Sequence, residues 1–134
     1  MVVRTDLSRR CPAVDPDDHH LYASLGCAAE NLVVAAQAAG RSAVVRYDPA
    51  STGVHIDLQE SAASESTLFQ AIFARQCTRT EYDGKPLSAH EQRALDSVSM
   101  ESGVSVLLLT SDQQKAEVAD YVAQGNTAQF ADPA

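Results

Sequence analysis

"SAVVRYDPASTGVHIDLQ", residues 42–59, joins two runs rich in β-branched residues through a cluster of turn formers from Pro49 to Gly53. Val and Ile crowd a helix but fit a pleated surface, whereas Pro, Ser, Thr and Gly interrupt regular structure. The stretch therefore reads as two strands or a hairpin. Helical patterns flank it on both sides, which makes the expected fold α+β.

Upstream, "DPDDHHLYASLGCAAENLVVAAQAAG", residues 15–40, opens with Asp15 as an N-cap, Pro16 at the first helical position, and Asp17 and Asp18 in the first turn. Negative charge is favoured there, and Gly40 closes the helix. Leu21, Leu25, Ala28, Leu32, Ala35 and Ala39 recur at spacings of three and four, and Val33, Val34 and Ala36 widen the apolar stripe. The pattern predicts a central, buried helix, with Cys27 as one of its small buried residues.

Downstream, residues 60–65 read as loop. A helix follows from about Ser66 to Arg75, with Leu68/Ile72 and Phe69/Phe73 paired four apart on its buried side. Asp83–Gly84 marks a turn, and Ser88 with Glu91 makes a capping box for a helix to about Val98. "VSVLLLT", residues 104–110, is an apolar run of strand length, expected to be covered on both faces. Ser111 and Gln114 form a second capping box, whose helix is expected to stop at Gly125–Asn126 and leave "TAQFADPA" as loop.

The 134 residues suit one domain. Hydrophobic residues make up 45% and aromatics only 5%, so the core must come from Leu, Val, Ile and Ala. A net charge of −8 argues against a general nucleic-acid binder or a binder of anionic membranes, which need a broad positive surface. Three cysteines, far apart and without a CxxC pair, suggest neither a disulfide framework nor zinc, and fit a reducing, cytoplasmic setting. No apolar run has signal-peptide or membrane-spanning length. His19 and His20 diverge by about 100° on a helix, and His55 and His90 stand alone, so no metal site is expected. Motifs for serine hydrolases, P-loops and dinucleotide folds are missing.

"ARQCTRTEYDGKPLS", residues 74–88, is where the chemistry gathers. Arg75 and Arg79 stand at a helix C-terminus, where cations complement the helix dipole. Four apart on a helix they also face one side, and two guanidiniums side by side invite a shared anion. Cys77 lies between them, with no histidine near in sequence to act as its base. No residue emerges as a catalytic acid or base.

"LFQAIFARQCTRTEYDGKPLSAHEQRAL", residues 68–95, resembles the opening of the nitroreductase family: an amphipathic helix, an R-x-x-x-[RK] signature, an aromatic, a turn and a second helix. "VDPDDHHLYASLGCAAENLVVAAQAAGRSAVVRYDP" looks like the preceding half-module of Acg-type proteins, in which one chain carries two nitroreductase-like halves. The resemblance spans roughly residues 12–133, with "GNTAQFADP" adding to it. It implies layered helices around a small sheet, incomplete as a single chain. Residues 1–134 would form one partial domain, with the end of one half-module over about 12–60 and the start of the next over about 64–134.

The resemblance further implies FMN as cofactor, contacted by Arg75, Gln76, Cys77 and Arg79. The first basic residue and its neighbours would meet the phosphate and ribityl chain, and the second the pyrimidine edge. Cys77 stands where serine is common, and a thiol is the weaker donor. The family's P-x-x-N-x-Q-P-W segment and its C-terminal phosphate contacts have no counterpart here. The expected activity is an FMN-dependent oxidoreductase that moves electrons from NADH or NADPH to a nitroaromatic or quinone. The alternatives are an FMN-holding module without turnover and a truncated interaction protein. Because the long helix is apolar around much of its second half, a homodimer through the Leu25 to Ala36 surface is expected.

Overall fold

The computed structural model describes residues 1–98 and 102–132. Among them are four α-helices and a three-stranded antiparallel sheet, an α+β arrangement. The chain divides into two compact units, Met1–Cys77 and Thr78–Ala134.

The first unit is built on the hairpin. Strands β2 (Arg41–Asp48) and β3 (Gly53–Glu60) pair from Arg41↔Glu60 to Asp48↔Gly53 around the expected turn. A third strand, β1 (Val2–Arg4), pairs with β3 on its other side, Val3 opposite Val54. That strand was not expected, and Gly53 makes room for it: a Cβ there would meet Arg4 Cγ at 3.0 Å and Val3 O at 3.2 Å. The sheet order is β1-β3-β2, so β3 is central and β2 lies at an edge.

Helix α1 (His19–Ala38) packs on the sheet through Leu25 and Ala29, which meet Val54 and Ile56, with Val3, Tyr22, Leu32 and Ala43 around them. Ile56 is 0% exposed. Alternation puts Ala43, Val45 and Tyr47 on that side of β2, and Tyr22 meets Tyr47 edge-on at 6.3 Å between ring centres. The opposite face carries Ser42, Arg46, His55, Asp57 and Gln59, with Arg46 bonded to Asp57 at 2.9 Å.

The start of α1 corrects the sequence reading. Residues 15–18 form a turn, and Asp18, in the left-handed region at φ 59°, stands at the N-cap position without a capping side-chain bond. Asp15 still does the capping, from further back: its buried carboxylate accepts from the N–H groups of His20 and Leu21, both at 3.1 Å. Burial pushes this carboxyl up, but those N–H groups and the nearby His20 outweigh it and hold it below its ordinary range. Cys27 is exposed rather than buried, because it sits two residues from both Leu25 and Ala29 and points away from the sheet. The Leu25 to Ala36 surface is likewise not free for a partner as a whole, since Leu25, Ala29 and Val34 are buried by their own chain.

Helix α2 (Thr67–Ala74) is capped by Ser66, whose Oγ accepts from Phe69 N at 3.2 Å. It lies against α1. Phe69 and Phe73 meet edge-on at 5.3 Å between centres, but Phe73 and Leu68 remain exposed rather than on a buried side.

In the second unit, α3 (Ala89–Asp96) starts with the expected capping box: Glu91 N donates to Ser88 Oγ at 3.3 Å, and Ser88 N donates to the Glu91 carboxylate at 2.7 Å. Helix α4 (Asp112–Ala131) begins at Ser111, whose Oγ accepts from Gln114 N at 3.2 Å. Two expectations fail here. Residues 104–110 form no strand, since an apolar run without a paired neighbour has no ladder to join. And α4 continues through Gly125 and Asn126 to Ala131, because neither adopts the left-handed conformation that ends a helix. The expected loop over 127–134 is thus helical as far as Ala131; Pro133 and Ala134 lie outside the described residues. No described residue of this unit is buried. No helix among the described residues is long and apolar enough to cross a membrane.

Candidate functional site

Arg75 is the residue at which α2 ends. Its N–H still donates to Ala71 O at 2.9 Å, while its ψ of 142° turns the chain out of the helix. Gln76 and Cys77 follow as exposed, non-helical residues. Arg79 is also exposed and non-helical, and it belongs to the second unit. The two arginines therefore do not share a helix face, and the argument from a spacing of four does not apply. The helix stops too early because Ala74 is the last residue whose backbone follows the helical turn before the chain extends.

Arg75 forms the rim of a hollow of about 190 Å³ between α1 and α2. Its walls are Val34, Leu68, Ala71 and Ile72, with Glu30 and Asn31 of α1 completing it. The signal for this hollow was present in sequence as the Leu68/Ile72 pair beside the small-residue helix, though nothing local showed which helix it would face.

Among the described residues the ion pairs of the arginines and lysines use Arg10, Arg41, Arg46, Lys85 and Lys115. Arg75 and Arg79 enter none of them, and neither do Arg4, Arg9 and Arg93. Freedom from a carboxylate is thus shared. What sets Arg75 apart is its place at a helix end beside an apolar hollow.

The second unit holds a larger cleft, about 690 Å³, between the 82–87 segment, Gln92 of α3 and the start of α4. Its two cations are already neutralised: Lys85 Nζ lies 2.7 Å from Asp83 Oδ2, and Lys115 Nζ lies 2.7 Å from Asp112 Oδ1. Those hydrogen bonds hold both carboxyls below their ordinary range. The turn itself is local, with Lys85 N donating to Asp83 Oδ1 at 3.1 Å, and Gln92 Nε2 donates to Leu87 O at 3.0 Å. A cleft of this size suits a small molecule, yet its cations would have to leave their carboxylates to hold an anion. In the sequence these residues belong to the signature aromatic, the turn, the capping boxes and the run expected to be a strand.

Compared with protein-family models, with curated proteins and with solved structures, the chain matches none of them, so the nitroreductase resemblance stands on its sequence motifs alone.

Proposed function

We propose that the chain supplies one wall of an FMN site in a nitroreductase-like flavoprotein. The observation that carries this reading is Arg75, a guanidinium with no ion pair among the described residues, at the end of α2 and on the rim of an apolar hollow against α1. A planar guanidinium gives a phosphate paired, charge-assisted hydrogen bonds, and Gln76 and Cys77 beside it are exposed to add weaker ones. FMN bound there would take a hydride from NADH or NADPH and pass electrons to a nitroaromatic or quinone.

The hollow is small for a whole flavin. Ligand pockets usually measure ~300–1,000 Å³, and about 190 Å³ accommodates only part of a flavin. In a second form of the proposal the chain holds FMN without turning it over. The test is an absorption and fluorescence titration with FMN. Saturable quenching is expected, and Arg75→Ala should weaken binding by about 1.5–3 kcal/mol, the worth of a hydrogen bond to a charged group. An unquenched flavin at every protein concentration rejects both forms. Oxidation of NADH or NADPH, measured with and without a nitroaromatic, then separates turnover from holding.

A further inference from the structure

We infer that the outer edge of β2 is an interface on which a second copy of this chain pairs, antiparallel and about a two-fold axis at Val44, extending each three-stranded sheet into one of six. The two edges of the sheet differ in kind. The β1 edge is three residues long, a common way to keep an edge from recruiting other chains. The β2 edge runs for eight residues with no proline, glycine or bulge, and it pairs continuously with β3 on its inner side.

Charged side chains also protect edges, but both arginines of β2 lean inward. Arg46 is bonded to Asp57 of β3 at 2.9 Å and Arg41 to Glu60 of β3 at 3.4 Å, so neither charge is committed to guarding the outer side. Apolar side chains are left beside the open edge: Val44 is 49% exposed, Val45 46% and Tyr47 54%. Val44 is the informative one. It stands on the polar face, between Ser42 and Arg46 and away from α1, outside the hydrophobic cluster of the described residues.

A second copy accounts for it. In an antiparallel pairing with the axis at Val44, that residue faces its own copy, Ala43 faces Val45, Ser42 faces Arg46, and Arg41 faces Tyr47. Every opposed pair lies on the same side of the sheet, Ala43, Val44 and Val45 meet apolar partners, and no like charges are opposed. The edge is thus complementary to itself, which is what a two-fold interface requires. The interface does not depend on flavin binding.

Light scattering and sedimentation of the full chain test it, with variants at Val44. Wild type is expected to be dimeric at tens of micromolar. Val44→Lys and Val44→Asp, each placing like charges opposite one another, should weaken the dimer by about tenfold or more, and an equimolar mixture of the two should restore it. A monomeric wild type overturns the proposal, as does a dimer untouched by Val44→Lys. Failure of the mixture to re-form the dimer overturns the axis at Val44.

A cysteine pair keeps the test open if the charged variants do not fold. With Cys11, Cys27 and Cys77 replaced by serine, Val44→Cys should form an intermolecular disulfide on treatment with diamide, since opposed residues of antiparallel strands lie about 4.5–5.5 Å apart at Cα, within disulfide range. Gln59→Cys, on β3, should not. Equal cross-linking at both positions, or none at Val44→Cys, rejects the pairing.

Discussion

Helices α1 and α4 are each 20 residues long, yet α1 buries Leu25, Ala29 and Val34 while α4 buries none of its residues. Neither length nor the presence of apolar residues explains the contrast, since α4 carries Val118, Tyr121, Val122 and Phe130. The difference is what stands opposite. Leu25 and Ala29 meet a sheet already closed by the hairpin, whereas α4 is held by bonds of its own: the Ser111 cap, Gln113 to Glu117 at 2.9 Å, Gln124 to Asp120 at 2.6 Å, and Thr127 Oγ1 to Ala123 O at 2.9 Å. In proteins most helical stability comes from tertiary packing of one face, which no described residue of α4 supplies by burial. The first unit should accordingly unfold as a cooperative body and α4 fray more readily.

The largest effect should follow from emptying the side chain that is fully buried among the described residues, Ile56. Ile56→Ala should cost about 2–5 kcal/mol in urea unfolding, the range for deleting a buried large aliphatic side chain, while Val118→Ala in α4 should stay within about 0.5 kcal/mol. Equal losses would break the comparison between the helices.

A smaller loss is expected at Asp15. Its carboxyl is held below the ordinary 3.8, so the stabilisation it provides is present in full above that value and lost as pH falls through its lower, folded-state value. Asp15→Ala should therefore lower the unfolding free energy at neutral pH, by less than Ile56→Ala does. The gap between variant and wild type should close under acid. Asp48, Asp57, Asp83, Glu91 and Asp112 are also held low, so only this difference isolates Asp15. A gap that is constant with pH would mean that Asp15 acts by packing alone.

The smallest effects concern Gly26 in α1 and Gly125 in α4, where an added Cβ would meet nothing within 4 Å. Replacing either with alanine should stabilise by about 0.4–1 kcal/mol, read from unfolding midpoints and helical circular dichroism. A loss at Gly26 with a gain at Gly125 would sharpen the contrast, by showing that the outer face of α1 is covered in solution.

Several elements were legible because their causes are local. The hairpin follows from β-branched runs around a turn cluster, and α2, α3 and α4 begin at the serines that cap them. The candidate site was less legible. A spacing of four between Arg75 and Arg79 means a shared face only if the helix persists, and it stops at Ala74. The hollow beside Arg75 needed α1 and α2 to meet, and the larger cleft needed residues 82–87 to approach Leu109 and Lys115. Those are encounters between separated segments that no local pattern encodes.

By itself, then, the sequence determined the helix starts at Ser66, Ser88 and Ser111, the turn between β2 and β3, and the end of α1 at Gly40, since each rests on backbone bonds spanning a few residues. Only tertiary structure decided that Val2–Arg4 becomes a strand, because its partners at Gly53–His55 lie some fifty residues away. It also decided which side of α1 is inside, leaving Cys27 out and drawing Asp15 into a buried cap. Residues 104–110 show the same dependence from the other side. Their apolar run favours extension, but a strand is completed by the neighbour that takes its hydrogen bonds, and none of the described segments does so.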